Sequence, residues 1–231
     1  MSESQSSKSS THYLLSEFIS DPKNMHSVDR SWDDLSLAYT EHYNLYSGRK
    51  MKRKELSFHN QVKLLAYLLL YMKNEISGDN LEIGVWKGKS LAFIERFSEC
   101  GISYGIDYCA FKHQVAEIQH FQNKFFPRAT IVTKSAEMAT AEIYQSTNAL
   151  KLLHIDGGHA RDNVWADFII YSQLVTPGGF VVFDDYVDPL SPGVGPAVDE
   201  LKMRGFFKDY EIVGVLDNFP SSFVLRKSNK N

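Results

Sequence analysis

The stretch LLHIDGGHARDNVWADFIIYSQLVTPGGFVVFDDY, residues 152–186, holds two apolar strand-like runs that each end in acids. The first, residues 152–155, closes on Asp156 with His159 three positions further on, and the second, residues 180–183, closes on Asp184 and Asp185. Between them lie one amphipathic helical stretch and a Pro177-Gly178-Gly179 turn signal. That order reads as a β-α-β crossover, which makes the two strands parallel neighbours. Adjacent strands sit ~4.8 Å apart, so three carboxylates and an imidazole are expected to converge at one sheet edge. The carboxyl ends of strands in open α/β sheets are where ligands bind.

Outward from this unit, strand-like and helical stretches alternate from Asn80 onward: LEIGVW, a helix to Cys100, ISYGIDY, a helix over residues 112–125, TIVTKSA and a short helix near Glu142. Such alternation predicts an α/β fold with a doubly wound, mostly parallel sheet. The last third departs from it. After a helix over residues 196–203, YEIVGVLD and SSFVLRK are separated by only a few residues, Asn218 and Pro220 among them, and so short a link permits only an antiparallel hairpin. Ahead of the sheet, Trp32, Leu35, Tyr39, Tyr43 and Tyr46 recur at helical spacing behind a Ser31-x-x-Asp34 capping signature. Phe58, Val62, Leu65, Leu69 and Met72 repeat the pattern, giving two N-terminal helices expected to cover the pocket. The expected organisation is a disordered polar tail over residues 1–12, a helical cap over 13–78 and one catalytic domain over 79–231.

The 231 residues, 43% hydrophobic and 13% aromatic, suit one large domain with a full core. A formal charge of -3 supplies no general attraction to nucleic acid or to an anionic membrane. Arg49, Lys50, Lys52, Arg53 and Lys54 do cluster, and the run reads as a solvated connector between helices rather than a substrate-facing segment. Cys100 and Cys109 lack metal-ligand spacing, which points to a reducing, cytoplasmic compartment. The polar start MSESQSSKSS has no apolar leader core, and the apolar run over residues 64–72 is too short to span a bilayer. A homo-oligomer is compatible with all of this.

The segment Glu82-Ile83-Gly84-Val85-Trp86-Lys87-Gly88-Lys89-Ser90 follows a strand and opens a helix, where glycines admit close backbone approach of a ligand. Trp86 stands where a dinucleotide loop would place its second glycine, which argues against a pyrophosphate. Asp107 ends the next strand, about 20 residues on, where a carboxylate can accept from both hydroxyls of a ribose. A nucleoside without a pyrophosphate fits better. Tight turning by the glycines and helix capping by Asp107 are the plainer alternatives.

From Glu82 to the C-terminus the chain resembles class I S-adenosylmethionine-dependent methyltransferases, and its HIDGGH and FVVFDDY segments are most similar to the macrocin O-methyltransferase and cephalosporin-hydroxylase-like group. The resemblance implies a Rossmann-like seven-stranded sheet with its final strand inserted antiparallel. It also implies that Glu82, Gly84 and Gly88 surround the methionine part of S-adenosylmethionine, that Asp107 holds the ribose, and that Ser135 and Ala136 lie near the adenine. In metal-dependent relatives, acids at the matching strand ends bind a cation. Those positions here are Asp156, Asp184 and Asp185; relatives often carry glutamate or asparagine in the last pair.

Methyl transfer to an alcohol oxygen is an in-line displacement that needs the hydroxyl proton removed. A divalent cation lowers the pKa of a bound oxygen, and carboxylates without a nearby thiol favour magnesium, manganese or calcium. His159 stands where the resemblance places a general base, and imidazole has a suitable pKa. Capping of the helix near Arg161 or metal ligation are its other readings. His154, inside the strand, reads as a packed core histidine, and Trp165, Phe168 and Tyr171 as helix-to-sheet packing. The expected activity is O-methyl transfer to a small hydroxylated substrate, a sugar or natural-product glycoside, with magnesium assisting. A metal-independent enzyme of the same fold and a catalytically silent cofactor-binding module are the alternatives.

Overall fold

The computed structural model describes residues 8–52 and 60–229. Seven strands, β1 Asp79–Ile83, β2 Ser103–Ile106, β3 Thr130–Val132, β4 Leu150–Ile155, β5 Val175–Phe183, β6 Tyr210–Leu216 and β7 Phe219–Lys227, form one sheet in the order β3-β2-β1-β4-β5-β7-β6. β1 pairs in parallel with β2 and β4, β2 with β3, and β4 with β5, whereas β7 runs antiparallel to both β5 and β6. The order turns back at β1, so the chain winds in both directions from the sheet centre. That is the doubly wound, Rossmann-like arrangement expected, with β7 inserted beside β5. The hairpin closes through Asp217 and Asn218 alone, and Pro220 falls inside β7.

Period-2 alternation divides the strands between two cores. Leu152, Phe180, Val182 and Val224 face a layer built from α1 Ser10–Ser20, α2 Pro22–Ser47, α3 Val62–Tyr71, α4 Lys89–Phe97 and α5 Gln114–Phe125. Leu81, Ile83, Leu153, Ile155, Val181 and Phe183 face α6 Ala136–Ser146, α7 Arg161–Tyr171 and α8 Val194–Met203. Both faces of the central strands are thus buried, as parallel sheets require.

The N-terminal region departs from its expected form. Among the described residues three helices precede β1, and they share the apolar core of one sheet face. Among the described residues of this region, Gln61, Val62 and Leu65 reach the cavity. Helix α1 begins at Ser10, inside the stretch expected to be tail, because Ser9 caps it by accepting from the His12 N–H at 3.2 Å. Residues 1–7 lie outside the described chain, as do Arg53, Lys54 and Phe58. Helix α2 begins at Pro22, so the Ser31-x-x-Asp34 signature sits in its interior. The effective cap is Asp21, whose side chain accepts from the Lys23 N–H at 2.7 Å, with proline at the first turn where its missing N–H costs nothing. Pro177-Gly178-Gly179 is not a free turn. After a 3-10 turn over Ser172–Leu174 these residues belong to β5, in a bulged stretch where the pairing with β4 shifts between Leu150 and Leu152.

Candidate active site

Parallel strands all end on one side, and there the structure opens a cavity of 720 Å³ above β1, β2, β4 and β5. Of the ten residues expected to form the site, eight line it: Gly84, Asp107, Ser135, Ala136, Asp156, His159, Asp184 and Asp185. Glu82 lies fully buried below it, and Gly88 is absent from its walls.

The glycines have different tasks. Gly84 takes φ +94°, and a Cβ there would lie 1.9 Å from the Asp156 carbonyl oxygen, so this glycine lets the chain leave β1 against the end of β4. Gly88 takes φ +77° as the residue before α4, and a Cβ would meet the Phe126 ring at 2.2 Å. Its place is a packing position under the loop, against Phe126, whereas the resemblance sets it around the methionine part of the cofactor. Asp107 joins two loops: Oδ2 accepts from the Trp86 N–H at 2.8 Å and Oδ1 from the Cys109 N–H at 2.7 Å. Trp86 and Cys109 hold φ of +50° and +54°, conformations that non-glycine residues adopt only when their surroundings compel it. Asp107 does not cap the following helix, which begins at Gln114. Ser135 caps α6, accepting from the Met138 N–H at 3.4 Å, and Ala136 is its first residue.

At the other end the acids divide into two overlapping sets. Single ligand atoms of His154, Asp156 and Asp184 lie within 4.8 Å of one another, and so do those of Asp156, His159 and Asp185. Asp156 belongs to both, and each set recruits a histidine, so the expected triad of Asp156, Asp184 and Asp185 is not brought together as one group. Ser222 donates to Asp184 Oδ1 at 2.9 Å. Asp185, at φ +59°, accepts from Ser191 Oγ at 3.0 Å. Burial, then the charge of Asp184, pushes the Asp156 carboxyl well above the ordinary carboxylate range, and the same two causes raise Asp185.

His154 corrects its reading as a core histidine. It is 3% exposed, yet it lines the cavity floor, two residues before Asp156 and on the same sheet face. Its Nδ1 lies 2.9 Å from Glu82 Oε1, its register partner on β1. Burial pulls the imidazole pKa down, but the Glu82 hydrogen bond and charge, with the charges of Asp156 and Asp184, raise it to about 9. The other Glu82 oxygen, Oε2, is buried and has no hydrogen-bond partner among the described residues.

His159 does not cap α7, whose cap position is Ala160. Its Nδ1 lies 2.8 Å from Ser191 Oγ and its Nε2 3.4 Å from Asp185 Oδ2. A hydroxyl has one proton. Since Ser191 donates it to Asp185, Ser191 accepts from Nδ1–H, and Nε2 of the neutral ring carries the lone pair. Ser191 lies 32 residues from His159, beyond reach of any local motif. Lys89, also in the cavity wall, has its pKa lowered to about 8 by burial and by Lys87.

The donor chemistry fits a hard cation: carboxylates with imidazole and no thiol in either set. The opposite end fits a nucleoside, with Asp107 and Ser135 in the wall and no glycine-lined path for a pyrophosphate past Trp86.

Sequence relatives define the class, and solved structures share the fold. Residues 81–186 match the family model of a methyltransferase domain. Uncharacterized protein R132 of Acanthamoeba polyphaga mimivirus is 30% identical over 179 residues, covering 71% of this chain and 81% of that protein. The chain belongs to the class I S-adenosylmethionine-dependent methyltransferases. Among solved structures, an O-methyltransferase from Bacillus cereus in complex with S-adenosylhomocysteine superposes with a TM-score of 0.58 at 15% identity, covering 94% of this chain and 97% of that one. CalS11, a TDP-rhamnose 3'-O-methyltransferase of calicheamicin biosynthesis, superposes with a TM-score of 0.57 at 17% identity, over 89% and 95% of the two chains. Both share the fold. Among the described residues no helix is long and apolar enough to cross a membrane.

Proposed function

We propose that this methyltransferase acts on a hydroxyl oxygen of a small polyhydroxylated acceptor, a sugar or a natural-product glycoside, with a divalent cation held by Asp156 and its neighbours. The observation that carries the reading is the convergence of His159 Nε2 with Asp156 and Asp185 at one end of the cavity. S-adenosylmethionine, when bound, supplies a methyl group on a sulfonium centre. The cation, magnesium being the best match to these oxygens, would lower the pKa of the acceptor hydroxyl. The work left to this chain is positional and protonic. His159 takes the hydroxyl proton at Nε2, and Ser191 holds the ring through Nδ1 in the tautomer that leaves Nε2 free to do so. Asp107 and the loop it ties down hold the nucleoside, and Gln61, Val62 and Leu65 add to the cavity wall.

The sugar is favoured by the polar lining of the acid end, where Asp188, Ser221 and Ser222 join the acids and His159. CalS11, a TDP-rhamnose 3'-O-methyltransferase, acts on a substrate of that chemistry. The formal charge of -3 argues against a nucleic-acid or anionic-membrane partner, and the free thiols of Cys100 and Cys109 suit a cytoplasmic setting. Release of S-adenosylhomocysteine in the presence of TDP-sugars and glycosides tests the reading. Turnover that EDTA abolishes and magnesium restores supports it; full turnover in EDTA leaves the metal-independent alternative, and binding of cofactor with no turnover on any hydroxylated acceptor leaves the silent module.

A further inference from the structure

Asp167 lies in the middle of α7 and is 4% exposed, yet it lines the cavity. Its carboxyl makes no hydrogen bond or ion pair among the described residues. Buried polar groups are nearly always satisfied, so a carboxyl left open toward a cavity asks for a partner that occupies it. Small residues give it that view: a Cβ on Gly157 would lie 3.3 Å from Asp167 Oδ2, and one on Gly158 would strike the Asn163 side chain at 2.4 Å.

The position of Asp167 selects the partner. Ser135, Ala136 and Glu137, which follow β3, share its end of the cavity, and the acids follow β4 and β5 on the other side of β1. A sulfonium methyl group must face the acids and the acceptor, so the nucleoside points toward β2 and β3. The Watson–Crick edge of adenine carries an amino donor beside a ring-nitrogen acceptor. A neutral carboxyl presents the complement, a carbonyl acceptor beside a hydroxyl donor. After β3, Ser135 and Ala136 carry no carboxyl and Glu137 is the acid of the first turn of α6; α7, packed on the same sheet face, brings the second acid, Asp167, which is buried and without a hydrogen bond among the described residues.

We infer that Asp167 is the adenine-recognising residue of this chain, accepting from the 6-amino group with one oxygen and donating to ring N1 with the other. The assignment rests on the reading of the cavity as the S-adenosylmethionine site. Burial, then the charge of Glu137, raises the Asp167 pKa to about 7, so the donating form is available near neutrality. The titratable groups facing it are Glu137 from α6 and Tyr171 from its own helix; the element packed against it from the sheet presents the main chain of Gly157.

The test is calorimetry on the intact protein with S-adenosylhomocysteine and its analogue lacking the 6-amino group, between pH 6 and 8.5, for wild type, Asp167→Asn and Asp167→Leu. Wild type is expected to lose affinity as pH rises through the titration of Asp167 and to bind the desamino analogue about tenfold more weakly. Asp167→Asn, an isosteric donor and acceptor, should bind within a few-fold of wild type without that pH dependence. Asp167→Leu should bind about tenfold more weakly at pH 6.5 and no longer distinguish the two ligands. If Asp167→Leu does not fold, the pH comparison between wild type and Asp167→Asn decides. Equal pH profiles in wild type and Asp167→Asn, or undiminished discrimination in Asp167→Leu, would overturn the assignment and leave the cofactor reading standing. Absence of binding by wild type would remove both.

Discussion

A Cβ on Gly84 would lie 1.9 Å from the main-chain carbonyl oxygen of Asp156. The two residues sit where β1 and β4, neighbours in the sheet, end, and both line the cavity. No side chain can be accommodated without separating the two strands, and φ +94° is strained for an L-residue as well. Gly84→Ala should therefore cost several kcal/mol and abolish cofactor binding. Gly205 supplies the control: it has φ +78° but nothing within 4 Å of a Cβ, so Gly205→Ala should cost only about 1–2 kcal/mol. Denaturant unfolding of the two variants checks the contrast.

Asp107→Ala should lower S-adenosylmethionine affinity by more than tenfold while the fold persists. The carboxylate both faces the cavity and holds the main chain of Trp86 and Cys109, so its loss frees two strained loops at once. Calorimetry reads the affinity. Unchanged affinity would remove Asp107 from the cofactor site.

Asp156→Asn should raise the magnesium concentration needed for half-maximal turnover by at least tenfold, since Asp156 is the one acid common to both ligand sets. Asp185→Asn should have the smaller effect if the cation sits in the inner set with His154 and Asp184, and the larger one if it sits beside His159. Metal titrations of the two variants separate those positions.

His159→Ala should leave cofactor and metal affinity nearly intact, lower turnover by about 100-fold and remove the acidic limb of the pH profile. Ser191→Ala should act through the ring: turnover falls, KM changes little, and the acidic limb stays but moves, because the imidazole keeps its base but loses its fixed tautomer. A His159→Ala profile with the wild-type limb would make His159 a structural residue.

Stability should respond to pH through Asp167. Its pKa is raised from 3.8 to about 7 in the folded protein, so the folded state holds the proton more tightly. Its contribution is therefore fully favourable below pH 3.8, falls as pH rises toward 7 and is flat above. Asp167→Asn escapes that loss and should be more stable than wild type at pH 8, by an amount of order a few kcal/mol, with the difference shrinking toward pH 4. Thermal unfolding across this range is the measurement, and a constant difference would contradict the raised pKa.

Sequence alone determined the sheet and the place of the chemistry. Strand period and β-α-β spacing decide which runs are parallel, and parallel strands end together, so Asp107, Asp156, Asp184 and Asp185 had to meet at one edge. A two-residue link made the β6–β7 hairpin antiparallel in the same way. Tertiary structure decided the rest. Period 2 does place His154 on the face of Asp156, but its pairing with Glu82 depends on the register of β1 against β4, which no local pattern carries. Ser191 reaches His159 through a loop, and Asp167 reaches the cavity from the interior of α7. Gly88 packs against the Phe126 ring, a contact 38 residues away that no local motif announces. The three N-terminal helices joined one face of the sheet because their apolar residues had a half-covered core to complete. Local sequence sets periodicity and strand ends; which side chains then face one another depends on register and layer packing, and these exist only in the folded chain.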